Sequence, residues 1–143
     1  MPSPTRIWTL AHPTAGLDGD RERLEFDFER IVENAVGCDI ALGVNASMDR
    51  LDLNDLMARA AVEAGALIAI GSDAHSAAQL DLTGYGVFQA RWGWIESRSV
   101  VNTRRWTELN RWLERRELNQ SPDTRETNSP CKSRRGIKMS TWT

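Results

Sequence analysis

The chain has 143 residues, 41% hydrophobic and 27% charged, an ordinary balance for a soluble globular domain with one core. It contains no run of 18 apolar residues, so no membrane-spanning helix is expected. The opening Met1-Pro2-Ser3-Pro4-Thr5 lacks the basic and apolar segments of a secretory leader, and a cytoplasmic protein is the expectation. Net charge is split: residues 1–117 carry 13 Arg and no Lys against 18 Asp and Glu (−5), whereas residues 118–143 carry 5 basic and 2 acidic groups (+3). An acidic body argues against a strong generic DNA-binding surface but suits a site that gathers divalent cations.

In chain order, the apolar run Ile7–Ala11 reads as a buried strand. Leu24, Phe28, Ile31 and Ala35 then recur at helical spacing, with Gly37 as the stop. Cys38 follows in an apolar setting that suits a small buried thiol; Cys131 sits in a polar tail, and the absence of a CxxC pair excludes a cysteine zinc site. Ile40–Val44 is a second strand. Asp52 has the chemistry of an N-cap for a helix striped by Leu53, Leu56, Met57, Ala60 and Ala64 and ended by Gly65. Leu67–Ile70 is a third strand, Leu80–Trp94 a glycine-interrupted helix, and Trp106, Leu109 and Leu113 mark one face of a last helix. The six tryptophans, Trp92, Trp94 and Trp106 among them, read as core residues, with a base-stacking platform as the alternative. Residues 118–143 read as a disordered basic tail, solvated or touching nucleic acid through Lys132–Lys138.

Strands that are continuously apolar and alternate with helices form parallel pairs joined by right-handed crossovers. The expected fold is therefore α/β over residues 1–117, with about three parallel strands and their helices. Three strands are few for a parallel sheet, which suggests part of a larger unit.

Polar residues cluster immediately after the strands: His12 after the first, Asn45 after the second, Asp73 and His75 after the third. In parallel α/β folds the strand C-termini form one rim, where sites are built. Both histidines of the chain fall on it. Residues two apart in extended chain point the same way, so Asp73 and His75 can face one ion, with His12 joining from a neighbouring strand. Two imidazoles and a carboxylate suit zinc, manganese or iron with positions left for water and substrate. The plainer alternatives are a loop histidine before Pro13, and Ser72 or Asp73 capping the following turn. Asn45 can order its own loop; Arg21, Arg23 and Arg50 can meet a phosphate or remain solvated.

Leu10-Ala11-His12-Pro13-Thr14 resembles the "AHP" metal motif of the polymerase-and-histidinol-phosphatase (PHP) family, and Ser72-Asp73-Ala74-His75 its closing "D-x-H" motif. Asn45-Ala46-Ser47-Met48-Asp49-Arg50-Leu51-Asp52-Leu53 resembles a run in the PHP domains of bacterial-type family X DNA polymerases. Tyr85-Gly86-Val87, Ala90-Arg91, Gly93-Trp94 and Val101-Asn102-Thr103 continue the match, which spans about residues 6–114. The resemblance implies the C-terminal portion of a distorted (β/α)7 barrel and His12, Asp73 and His75 as ligands of Mn2+ or Zn2+; Asn45 and Arg50, beside them on the rim and its loop, are the candidate substrate contacts. It also implies 3′–5′ exonuclease or DNA-end phosphoesterase activity in base excision repair. The partners implied are DNA 3′ ends and the missing N-terminal half of the barrel, with no membrane. Two departures stand out: Gly43 occupies a position usually held by Glu, and the family's upstream H-x-H, Asp, His, Glu and His have no counterpart. The alternatives are an inactive truncated remnant and a small-molecule phosphatase of the histidinol-phosphatase kind.

Overall fold

A computed structural model describes residues 8–14, 27–48 and 51–119. Three parallel strands, β1 (Thr9–Leu10), β2 (Ala41–Asn45) and β3 (Leu67–Gly71), form a sheet in the order β1-β2-β3. Register pairs Leu10 with Leu42 and Asn45 with Gly71. The helices are α1 (Phe28–Gly37), α2 (Asp55–Glu63), α3 (Thr83–Trp92) and α4 (Trp106–Asn119), with short 3₁₀ turns at Ala77–Leu82, Ser97–Ser99 and Val101–Thr103.

The α/β expectation and the parallel pairing are met, while a closed barrel is not seen in the described residues. Because β2 is central, all five of its residues are buried, and its side chains alternate between two cores. Leu42 and Val44 pack with Val32, Leu53, Ala58, Ala61 and Ile68 beneath α1 and α2. Ala41 faces the other way, onto Val101 and Trp112 of α4. Fully burying side chains such as Leu42, Leu53 and Ile68 contributes about 1.5–3 kcal/mol each.

Asp27 caps α1, its Oδ1 accepting from Arg30 N at 3.0 Å. Gly37 lies inside that helix, and the left-handed residue beyond it is Asp39 (φ 54°), not a glycine. Cys38, at the C-cap of α1, is half-buried rather than fully buried as expected. In α2 the cap is Asn54, whose Oδ1 accepts from Met57 N at 2.8 Å; Asp52, expected in that role, is buried before the helix begins. The later start shifts the helix phase, so Ala58, Ala60 and Ala61 are buried and Leu56 is exposed. Gly65 (φ 96°) ends the segment as its conformational freedom predicts. The tryptophan expectation is corrected in part: Trp112 is buried, but Trp92, Trp94 and Trp106 are exposed. Each of the three lies at a helix end or on a helix face that no described element covers.

The two sheet edges differ. At the β3 edge, the Asn102 side chain stands in for a strand: its Oδ1 accepts from Ile70 N at 2.8 Å and its Nδ2 donates to Ile70 O at 3.0 Å. Val100 adds a parallel bridge to Ile68. Strand β1 pairs with β2 on one side, and both its residues are exposed.

Gly86 sets how closely α3 approaches the sheet, since a Cβ there would lie 2.6 Å from Ile70 Cγ2 and 3.0 Å from Ala46 Cβ. Gly84, one turn-half earlier, has nothing within 4 Å of the same atom. Gly86→Ala is therefore expected to lower stability by about 1–3 kcal/mol, whereas Gly84→Ala should raise it by about 0.5–1 kcal/mol through helix propensity. Urea denaturation of the two variants checks the opposite signs.

Candidate functional site

The C-terminal ends of the three strands open onto a pocket of about 180 Å³ lined by Thr9, Ala11, His12, Gly43, Val44, Asn45, Ala69, Ile70, Gly71 and Asp73. Small residues make the space. A Cβ on Gly43 would stand 3.0 Å from Ala11 Cα and 3.1 Å from Leu10 O, so β1 and β2 tolerate little more than hydrogen at that point. His12 and Asp73 enter the pocket from the ends of β1 and β3, and both hold left-handed backbone, φ 31° and 52°. Non-glycine residues at such angles carry a local cost, of order 1–3 kcal/mol each, and concentrate at functional sites.

Asn45 is the link between strands. Buried at the end of β2, it donates from Nδ2 to Asp73 Oδ2 at 2.9 Å and accepts at Oδ1 from Ser47 N at 2.8 Å. It thus orders its own loop and fixes the Asp73 carboxyl. His75 is exposed, its Nδ1 lies 2.7 Å from the Asp73 carbonyl oxygen, and its backbone N donates to Gln79 Oε1 at 2.7 Å. It is not among the pocket-lining residues. The structure therefore brings His12, Asn45 and Asp73 to one pocket and leaves the His75 ring beside it. Among the described residues, no three His, Cys, Asp or Glu side chains stand together in a metal-holding group. Arg21, Arg23 and Arg50 lie outside the described residues, as do residues 120–143 of the expected tail.

Two supporting residues escape a reading of sequence alone. Asp52 is 3% exposed; its Oδ2 accepts from Thr14 N at 3.0 Å, which fastens the His12-Pro13-Thr14 turn to the segment after β2. Its backbone carbonyl accepts from Asn45 N. Gln89, 6% exposed on α3, donates from Nε2 to Leu53 O at 3.2 Å and, more weakly, to Leu51 O at 3.3 Å. A lone glutamine on the inward side of a helix between Phe88 and Ala90 was the available signal.

Removing the Asp52 carboxyl should leave Thr14 N buried without its acceptor. Asp52→Ala is expected to cost about 1–3 kcal/mol, and Asp52→Asn, which keeps an acceptor oxygen, much less. Thermal unfolding of the two variants makes the comparison.

No family model matches the chain. It is 37% identical over 108 residues to the DNA polymerase/3′-5′ exonuclease PolX of Bacillus subtilis, an alignment covering 76% of this chain and 19% of that protein. The chain spans about a fifth of the length of the curated relative it matches. At that identity over three-quarters of its residues, the chain is related to a region of a DNA-processing enzyme.

Proposed function

We propose that this chain supplies one side of a divalent-metal phosphoesterase site acting on DNA 3′ ends, as part of a PHP-type domain. The observation that carries the reading is the convergence of His12 and Asp73 from two strand ends on one pocket, with Asn45 holding the carboxyl. The similarity to a polymerase/3′-5′ exonuclease supports DNA as the substrate class over a small phosphomonoester.

The donor chemistry fits Mn2+ or Zn2+, since one imidazole and one carboxylate are ordinary ligands of both. They are also fewer than the three protein ligands a catalytic zinc keeps. His75 becomes a third when its ring turns away from the Asp73 carbonyl, and further donors come from a separate segment, the N-terminal part of the domain. When bound, such an ion supplies Lewis acidity toward a phosphoryl oxygen. The chain's own residues do the positioning. Asn45 donates to one oxygen of Asp73 and so directs the carboxyl. Asp52 fixes the turn that carries His12. Gly43 keeps the floor clear for a substrate or ion. Hydrolysis belongs to the assembled domain, in the cytoplasm, with the chain alone binding the ion weakly.

Titration of the purified chain with Mn2+, followed by electron paramagnetic resonance, tests the site without relying on activity. Weak uptake is expected, reduced about tenfold or more in Asn45→Ala, which loses an outer partner of the ligand, and abolished in His12→Ala/Asp73→Asn. Uptake unchanged in the double variant would remove the pocket from metal chemistry. Release of 3′-terminal nucleotides from a labelled oligonucleotide, after mixing with the upstream part of a PolX-like chain, tests the reaction. Faster turnover of an amino-alcohol phosphate in the same mixture would shift the substrate class.

A further inference from the structure

Beyond the pocket, one face of α3 is unaccounted for. Gly86, Gln89 and Ala90 are buried against the sheet and the segment before α2, which turns the opposite side outward. Tyr85, Phe88 and Trp92, spaced i, i+3 and i+7, share that outer side and are 45%, 54% and 67% exposed. Trp94, just past the helix, is 81% exposed and holds left-handed backbone (φ 54°). Four large rings together on the surface of one short segment are more apolar area than a soluble chain leaves open without use.

Charge narrows the occupant. Residues 83–105 carry Arg91, Arg98, Arg104 and Arg105 against Glu96 alone, four minus one or +3, within a body of residues 1–117 at −5. Arg91 is exposed on α3 beside Trp92. Arg98 is exposed and meets Glu96 at 3.0 Å, a surface pair of the kind that contributes little and yields readily to a stronger anion. Arginine interleaved with exposed aromatic rings is the chemistry that tracks a phosphate backbone while stacking its bases. Position agrees as well: Gly86 abuts Ile70, which lines the pocket, so α3 packs against the strand that ends there. Along the helix axis the rings step by about 4.5 and 6 Å, from the rise per residue.

We propose that this ledge binds single-stranded nucleic acid, with Tyr85, Phe88, Trp92 and Trp94 stacking bases and Arg91 and Arg98 meeting phosphates. The direction of the strand, its end in the pocket, rests on the DNA-end reading above; the binding needs no metal. The test is fluorescence anisotropy of a labelled oligothymidylate of about 12 nucleotides, titrated with the full chain in EDTA at about 50 and 200 mM salt. Phe88→Ala/Trp92→Ala should weaken binding about tenfold or more, and Arg91→Ala should lower the salt slope by about one. Trp106→Ala, at an exposed ring outside the ledge, should bind as the wild type does. All these side chains are exposed or at the rim, and circular dichroism melting verifies that each variant folds.

No oligonucleotide binding by the wild type, or equal binding by Phe88→Ala/Trp92→Ala, would overturn the ledge. So would size-exclusion chromatography in which that variant turns a dimer into a monomer while oligonucleotide affinity stays the same, because the face would then be a contact between copies of the chain. Oligonucleotide binding that persists when the metal titration fails would sink the phosphoesterase reading and leave the ledge standing.

Discussion

The geometry of the pocket depends on a small buried polar knot around Asp52. Its carboxyl takes the Thr14 amide, its carbonyl takes the Asn45 amide, and Gln89 closes on the carbonyls of Leu51 and Leu53. Through these few bonds the turn after β1, the end of β2 and helix α3 are held in fixed relation. Each bond contributes only about 0.5–1.5 kcal/mol net, but leaving any one of these buried groups unpaired costs more than the bond returns. Asp52 Oδ1 has no partner among the described residues, so the knot is not optimised for stability. Its worth lies in specifying one arrangement, in which His12 and Asp73 share a pocket.

The strands and the rim were legible because both rest on simple periodicities. Short apolar runs between amphipathic segments allow little besides a parallel sheet, and polar residues at the ends of such runs fall on one side of it. The beginning of α2 was not legible. Asp52 and Asn54 are both good caps two residues apart, and local chemistry does not choose between them. The choice is tertiary: Asp52 is drawn into the interior by Thr14, which leaves Asn54 to cap. Leu56 and the tryptophans were misread for a related reason. An apolar side chain on a helix suggests a covered face, but whether a neighbour exists to cover it is a property of the whole assembly, not of the helix.

The candidate trio was partly legible. Spacing in an extended segment would aim Asp73 and His75 the same way, but Asp73 adopts left-handed backbone and the segment is not extended there. The alternation that would unite the two side chains is lost, and His75 turns to the Asp73 carbonyl. Asn45, read mainly as a loop organiser, proves to be the side chain that joins β2 to the β3 carboxyl. Residues that act by holding others carry no chemical signature of their own, which is why Gln89 was not singled out and the holding roles of Asp52 and Asn102 were not read.

Asn102 has one more effect. By occupying both the amide and the carbonyl of Ile70, it plugs the flank of the sheet where another chain could otherwise zip on. Among the described residues, the sheet edge left open is therefore that of Thr9 and Leu10, next to the turn that bears His12. A strand added along that edge would bring its side chains to the mouth of the cleft, so pairing there and access to His12 would be coupled.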